Sequence, residues 1–234
     1  MQPKDRIICA LDVDDACRAI QLVERLKDHV GAFKVGLELA TAAGVQIFAQ
    51  LREAGAERFF YDAKLHDIPN TVAGAMRGVA RLGVWCVTVH AAGGTAMLRA
   101  AVETARQTAE VEGLPRVLAV TVLTSIGPET LQEELRVEMP LRDYVAHLAR
   151  LAYETGCDGV IASPQEIEAV RAAVPAPGFL IVTPGVRPAG AQAGDQARVM
   201  TPAEALQRGA DYLVIGRPIT AAPDPAAAVQ QIFT

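Results

Sequence analysis

Oppositely charged side chains occur at short spacing in the segment Phe59–Thr71. Asp62 and Lys64 follow an aromatic run that predicts a β-strand. Because side chains alternate along a strand, these two residues share one face, and Lys34 on the preceding predicted strand can reach the same point. One hypothesis is a buried ion pair that only fixes packing, although desolvation offsets most of the stability that such a pair provides. The other is a reactive cluster in a cleft, since clustered charges perturb each other's pKa values and support chemistry.

Charged or titratable residues lie in, or at the end of, each of the first four predicted strands. They are Asp12, Lys34, Asp62, Lys64 and His90. Buried parallel strands are normally almost entirely apolar. For any one of these residues a solvated loop position is the simpler interpretation, and His90 either lines a pocket or packs with a hydrogen bond. Together they favour one shared site, because catalytic groups converge at the carboxyl ends of barrel strands.

Short apolar segments alternate with longer helical patterns along the chain. The predicted strands are Arg6–Leu11, Phe33–Gly36, Arg58–Tyr61, Trp85–Val89, Arg116–Val122, Gly159–Ala162, Leu180–Val182 and Tyr212–Ile215. The predicted helices are Asp15–His29, Ala40–Ala54, Asn70–Leu82, Thr95–Glu112, Leu141–Thr155, Pro164–Ala173, Thr201–Arg208 and Pro225–Ile232. Strands separated by helical segments of this length predict βαβ units and a parallel sheet.

Eight such units predict an α/β protein with a (β/α)8 barrel, a fold that typically takes about 250 residues. A doubly wound sheet is the alternative. That fold usually has a glycine-rich turn after its first strand, where this chain has the acidic segment Asp12–Asp14. No linker or break in composition divides the chain, so residues 1–234 are predicted to form a single barrel domain.

The composition excludes several classes of protein. A hydrophobic share of 51% and a charged share of 21% indicate a globular chain rather than a disordered one. The net charge of −5, without a basic block, argues against a nucleic-acid partner. No apolar stretch approaches the length of a membrane helix, about 18 residues, or of a signal peptide. The four cysteines form no metal-binding pattern, so we expect reduced thiols in a cytoplasmic protein.

Several ordered motifs resemble the orotidine 5'-monophosphate decarboxylase family, whose members catalyse the last step of pyrimidine nucleotide synthesis. The resemblance spans the whole chain. Its motifs are Asp62–Thr71, Ala10–Asp12, Phe33–Gly36, Val120–Ser125, Thr183–Pro188, Gly194–Gln196 and Ile215–Pro218. One departure is Ala63, where family members often have leucine. Because Ala63 is predicted to face away from the site, we expect the change to affect packing only.

The resemblance implies how the substrate is held and decarboxylated. Asp62 would lie against the substrate carboxylate, and Lys64 would deliver the proton that replaces it. Lys34 would hold both Asp62 and the ribose, and Asp12 would also contact the ribose. Thr124 would contact the pyrimidine ring. The activity implied is decarboxylation of orotidine 5'-monophosphate to uridine 5'-monophosphate.

The resemblance also implies a phosphate site formed by Arg187, Gln196, Gly216 and Arg217. Barrel phosphates often bind at the loops after strands seven and eight, and an arginine provides a charge-assisted fork for them. Taken alone, Arg217 is equally well a surface arginine. The Pro- and Gly-rich loop 184–196 reads either as a linker or as a lid over the site, and a lid is commoner inside a compact domain.

Asp67 has two interpretations. From its spacing alone it is a turn or surface residue, because it lies past the predicted strand and just before Pro69. The resemblance instead implies that Asp67, Ile68 and Thr71 enter the site of a neighbouring subunit in a homodimer with shared active sites. It also implies that no metal or organic cofactor takes part.

Two other functions remain open on the sequence. Related barrels that act on sugar phosphates share the Asp-x-Lys-x-x-Asp core but use magnesium, so dependence on a metal would favour them. A barrel that binds nucleotides without catalysis would tolerate the loss of Lys64.

Overall fold

Eight parallel strands form a closed barrel in the computed structural model, which describes residues 2–108, 115–187 and 200–233. The strands are β1 (Ile7–Ala10), β2 (Ala32–Val35), β3 (Phe59–Leu65), β4 (Cys86–His90), β5 (Arg116–Val120), β6 (Gly159–Ile161), β7 (Leu180–Pro184) and β8 (Tyr212–Ile215). Each strand pairs with the next in the chain, and β8 pairs with β1 to close the ring. The (β/α)8 barrel predicted from the sequence is therefore confirmed, and the doubly wound alternative is wrong.

Ten α-helices surround this barrel in the described parts of the chain. They are α1 (Ala16–Leu26), α2 (Leu37–Ala43), α3 (Ile47–Glu53), α4 (Pro69–Arg81), α5 (Gly94–Thr108), α6 (Leu141–Glu154), α7 (Ile167–Ala173), α8 (Pro202–Gln207), α9 (Arg217–Thr220) and α10 (Pro225–Gln230). The N-termini of several of these helices are capped by side chains. The Asp15 carboxylate, for example, accepts hydrogen bonds from the backbone N–H groups of Cys17 and Arg18. None of these helices combines the length and apolar character needed to cross a membrane.

Several elements differ from the sequence prediction, among them the short helix α9, which was not predicted. The helix predicted over Ala40–Ala54 is two helices, α2 and α3, because Gly44 adopts a φ of 71° that ends the first of them. Strand β3 continues to Leu65 instead of ending at Tyr61. This extension matters for function, because it places both Asp62 and Lys64 inside the strand.

Apolar side chains form two layers on either side of the barrel wall. Ile8, Ala10 and Phe60 belong to an inner cluster, whereas Ile7, Cys9 and Phe59 pack outward against the helices. The alternation follows from the period of two along a strand. Residues facing inward at the carboxyl ends of the strands are therefore the ones available to a central site.

Candidate active site

A cavity of about 570 Å³ opens at the carboxyl ends of the strands. Its floor is apolar and includes Ala10, Phe60 and Val214 from the inner cluster. Eight of the twelve predicted site residues line it: Asp12, Lys34, Asp62, Lys64, Thr124, Arg187, Gly216 and Arg217. They come from the ends of six different strands or from the segments that follow them. This convergence is what a barrel provides for catalysis.

Four of these residues form a row of alternating charge across the cavity. Lys34 Nζ lies 2.7 Å from Asp12 Oδ1 and 3.6 Å from Asp62 Oδ2. Lys64 Nζ lies 2.7 Å from the same oxygen, Asp62 Oδ2. The side chain of Asp62 is 13% exposed and that of Lys64 is 29% exposed. The buried carboxylate therefore holds an ammonium group that opens onto the cavity.

Packing on the outside of β3 orients its alternate side chains toward the barrel interior. Phe59 and Tyr61 lie edge-on against Phe48 of α3, with ring centroids 5.5 and 5.2 Å apart. These contacts hold one face of the strand against the helices, as the alternation in the sequence predicts. Asp62 must then face the barrel interior.

The opposite charges around Asp62 determine its ionisation. Burial alone would raise the pKa of this carboxyl group, but the charges of Lys34 and Lys64 and hydrogen bonds from Lys64 and Thr88 outweigh it. The pKa of Asp62 consequently lies below its usual value. Asp62 is therefore a carboxylate at neutral pH.

Gly36 allows the Lys34–Asp12 pair to form. It follows β2 and lines the cavity, and a Cβ at this position would lie 2.8 Å from Lys34 Nζ and 3.3 Å from Asp12 Oδ1. A larger residue would displace the ammonium group. Glycine is used here for close approach of the backbone rather than for an unusual φ.

The part of the cavity formed by the segments after β7 and β8 has a cationic lining. Arg187 follows β7 and is 8% exposed, and its Nη1 donates a hydrogen bond to the carbonyl of Val186 at 3.0 Å. Gly216 and Arg217 follow β8. These positions agree with the predicted phosphate site. Gln196 and most of the predicted lid 184–196 lie outside the described residues.

Three predicted site residues within the described part of the chain do not line its cavity. Asp67, Ile68 and Thr71 are all exposed, and Asp67 Oδ1 accepts a hydrogen bond from the backbone N–H of Ile68 at 2.6 Å. His90, whose position was open, is half-buried outside the cavity lining, with its ring 5.2 Å from that of His66. Burial, His66 and Lys64 lower the pKa of His90.

Sequence reasoning missed Thr88 of β4, which contacts both Asp62 and Lys64. The alternation along β4 indicates that it faces inward, but an uncharged residue in an apolar strand gives no signal of a role. Leu37, Glu38, Leu123 and Ser163 also line the cavity without having been predicted. In the described residues no group of three or more His, Cys, Asp or Glu side chains is arranged to hold a metal ion.

Comparisons with known proteins show the family of this chain. The family model for the orotidine 5'-phosphate decarboxylase / HUMPS family matches residues 5–232. Orotidine 5'-phosphate decarboxylase of Moorella thermoacetica is 56% identical over 99% of this chain and 92% of that protein. The protein of the same name in Syntrophomonas wolfei is 51% identical over 100% of this chain and 98% of its own length.

The crystal structure of orotidine 5'-phosphate decarboxylase from Lactobacillus acidophilus superposes with a TM-score of 0.84, at 37% identity. That comparison covers 97% of this chain and 96% of the solved one. The similarity in fold therefore extends over nearly the whole of both chains. The chain belongs to the orotidine 5'-phosphate decarboxylase / HUMPS family.

Proposed function

We propose that this cavity decarboxylates orotidine 5'-monophosphate to uridine 5'-monophosphate, the last step of pyrimidine nucleotide synthesis. The observation that carries the proposal is the alternating row Asp12–Lys34–Asp62–Lys64. It puts a fixed carboxylate and a fixed ammonium group side by side at the cavity wall. That arrangement suits a reaction in which a substrate carboxylate leaves and a proton replaces it.

Lys64 is the group that faces the reacting carbon in this proposal. When the bond from C6 of the pyrimidine to the carboxylate breaks, carbon dioxide departs and the electron pair stays on C6. The ring cannot delocalise this pair, so the nearby ammonium group stabilises it electrostatically. Lys64 then gives its proton to C6 and is reprotonated from water. No electrons are lost or gained, so the reaction needs no redox cofactor.

Asp62 fixes Lys64 and lies near the departing carboxylate. Repulsion between two such carboxylates about 4 Å apart amounts to about 4 kcal/mol at an effective dielectric constant of 20. Enzymes typically lower barriers by about 8–23 kcal/mol, so this repulsion cannot supply the whole effect. Binding of distant parts of the substrate must contribute by orienting the ring over Lys64.

The lining of the cavity suits the rest of a nucleotide. We assign Asp12 and Lys34 to the ribose hydroxyls and Thr124 to the pyrimidine ring. The phosphate goes to Arg187, Arg217 and the backbone at Gly216, with Gln196 as a further ligand. Arginine forks match phosphate geometry, and the two arginines give this side of the cavity the positive charge that a phosphate requires.

We further propose a homodimer in which each chain completes its partner's site. Asp67, Ile68 and Thr71 lie beyond β3 and outside the cavity of their own chain. If these residues enter the cavity of a neighbouring chain, their position agrees with the catalytic and binding roles implied by their motif. A twofold axis makes such an exchange mutual, so that two equivalent sites form.

Exposed apolar residues on the same face of the barrel support this assembly. Ile68 is 66% exposed, Leu37 55%, Leu135 53% and Met139 41%. All four follow strands β2, β3 or β5 and so lie on the side where the cavity opens. Apolar groups clustered around a site mark a surface that another chain covers.

The activity is tested by adding orotidine 5'-monophosphate and following the loss of its ultraviolet absorbance. We expect turnover, unchanged after exhaustive dialysis against a chelator, because Lys34, Asp62, Lys64 and Asp67 supply every charge that the reaction needs. Absence of turnover would refute the assignment. Turnover lost with the chelator and restored by magnesium would favour a metal-dependent relative acting on sugar phosphates.

The shared site is tested by mixing Lys64→Ala with Asp67→Ala, each nearly inactive alone. In a mixed dimer one site receives both defects and the other receives neither. Random re-pairing of equal amounts should restore up to about a quarter of wild-type activity. If the exchanged mixture stays as inactive as its parents, Asp67 acts within its own chain.

A further inference from the structure

Strand β3 is distorted where it presents the Asp62–Lys64 pair. Tyr61 pairs with Val87 of β4, but the next pairing joins Leu65 to Val89, so three residues of β3 face the single residue Thr88. Lys64 lies inside this bulge with a φ of 48°, a left-handed conformation that a residue with a side chain seldom adopts. Bulges re-aim side chains next to active sites. A conformation of this kind persists only where its surroundings hold it.

Thr88 is the group opposite the bulge. Its Oγ1 accepts a hydrogen bond from the backbone N–H of Lys64 at 2.9 Å and lies 3.0 Å from Asp62 Oδ1. The Asp62 carboxylate has no proton to give, so the hydroxyl must donate to it. One hydroxyl group thus ties the main chain of Lys64 to the side chain of Asp62.

We propose that Thr88 is a positioning residue for the reaction, holding the strained Lys64 backbone and the Asp62 carboxylate in the one arrangement that directs the Lys64 ammonium group into the cavity. This inference rests on the proposed decarboxylation. Thr88 does not line the cavity and is fully buried, so it acts through Asp62 and Lys64 and not on the substrate.

The chemistry of threonine suits this task. The backbone N–H of Lys64 lies outside the ladder pairing at the bulge and needs another acceptor, which the buried Thr88 hydroxyl provides. The branched Cβ restricts χ1, so the hydroxyl is held in a fixed direction. Valine has nearly the same shape but can neither accept nor donate, whereas serine keeps the hydroxyl and loses only the methyl group.

The groups around Asp62 determine what a titration will show. Lys34 reaches it from β2 and Lys64 from within β3, while Cys86 and His90 of β4 lie close enough to sense its charge. The Thr88 hydroxyl is one of the groups that lower the pKa of Asp62. Removing it should raise that pKa, and activity that needs the carboxylate would then be lost at a higher pH as the solution is acidified.

The experiment compares Thr88→Val with Thr88→Ser, using kcat, KM and the pH profile for orotidine 5'-monophosphate. For Thr88→Val we expect kcat to fall about 10- to 100-fold, the cost of a small misplacement of reacting groups, with KM within about threefold. The acid limb of its kcat profile should move to higher pH. Thr88→Ser should restore both properties to near wild type.

Thr155→Val is the matched control. Thr155 is also buried, and its hydroxyl donates to the carbonyl groups of Leu151 and Ala152, but it lies between α6 and β6 at the opposite end of the barrel. This variant should lose stability with no change in kcat or in the acid limb. A general loss of packing would affect both valine variants alike.

Retention of wild-type kcat and acid limb by Thr88→Val would overturn the proposal, as would equal impairment of Thr88→Ser. If Thr88→Val does not fold, Thr88→Cys replaces it, because a thiol is a weak donor and acceptor. Cysteine should then fall clearly below serine in kcat, and equality of the two would contradict the proposal.

A second measurement separates this inference from the assigned activity. The Asp62 side-chain carboxyl carbon can be titrated by NMR without substrate, and its pKa should be higher in Thr88→Val than in the wild-type protein. If wild type fails to turn over orotidine 5'-monophosphate, the proposed function fails while the contact to Asp62 is still measured. An unchanged pKa of Asp62 would contradict the hydrogen bond from the Thr88 hydroxyl to this carboxylate.

Discussion

The two ends of the barrel both carry charged side chains, but these make different contacts. At the carboxyl end, Lys34 and Lys64 pair with Asp12 and Asp62, and the paired groups line an open cavity. At the amino end, Arg171 donates to the carbonyl groups of Phe179 and Gly209 as well as pairing with Asp211. The charges that line the cavity pair with other side chains, whereas those at the amino end also bind the main chain.

Two aspartates at the amino end make the same kind of hydrogen bond. Asp158, just before β6, accepts the backbone N–H of Val117 in β5 at 2.8 Å. Asp211, just before β8, accepts the backbone N–H of Ile181 in β7 at 2.7 Å. Each carboxylate joins the start of its own strand to the preceding one, satisfying a backbone donor.

The difference shows which charges stabilise the fold and which serve the reaction. Hydrogen bonds from charged groups to the main chain add stability because they satisfy groups that folding has removed from water. Paired charges at a cavity wall add little, since desolvation offsets their attraction. Substitutions at the carboxyl end should therefore affect turnover far more than stability, and the reverse should hold at the amino end.

Among variants that keep Lys64, the largest effect is expected for Asp62→Asn. The variant keeps the shape of the side chain but removes the charge that fixes both lysines, so turnover should fall by about 100-fold or more. Turnover of orotidine 5'-monophosphate under saturating substrate measures this. Asp211→Asn is the control from the amino end, with turnover close to wild type. Similar losses in the two variants would show that the ends do not differ.

Arg217→Ala should have the next largest effect. Loss of a charge-assisted contact to phosphate costs about 2–3 kcal/mol, which lowers kcat/KM by about 100-fold. Part of the loss should appear in kcat, because phosphate binding helps to orient the ring. Arg208→Ala is the control, since Arg208 lies outside the cavity lining and makes an exposed ion pair with Glu168 at 3.7 Å. Equal kcat/KM for wild type and Arg217→Ala at low substrate would contradict the phosphate assignment.

Arg171→Met should change stability and leave turnover unaffected. It removes hydrogen bonds to two carbonyl groups and the pair with Asp211, and the site is partly exposed, so we expect a loss of about 1–2 kcal/mol in the free energy of unfolding. Urea denaturation followed by fluorescence provides this value. A drop in kcat with unchanged stability would show that Arg171 serves the reaction and not the fold.

The sequence predicts the barrel and most of the candidate site because both leave local signals. Apolar segments of the right length predict the eight strands, and charges in otherwise apolar strands identify Asp12, Lys34, Asp62 and Lys64. Alternation correctly directs Phe59 and Tyr61 to the helices. The placement of Arg187 and Arg217 at the cavity agrees with a motif-based prediction.

Other features depend on contacts between distant residues and leave no local signal. The bulge in β3 is defined by its register with β4. The prediction from the sequence therefore ends this strand too early, at Tyr61. Thr88 resembles any β-branched residue of a buried strand until its two hydrogen bonds are seen. The break at Gly44 was missed because the flanking segments share one helical pattern. The roles of Asp67, Ile68 and Thr71 stay predictions, since they involve a second chain.

The most direct test of the contrast between the two ends is one variant measured in two ways, Lys64→Gly. Glycine accepts the φ of 48° without strain, and Lys34 and Thr88 still contact Asp62, so the free energy of unfolding should stay within about 1 kcal/mol of wild type. Turnover of orotidine 5'-monophosphate should fall by at least about 1,000-fold. A variant that keeps its turnover, or that loses stability by more than about 3 kcal/mol, would contradict the view that Lys64 serves the reaction and not the fold.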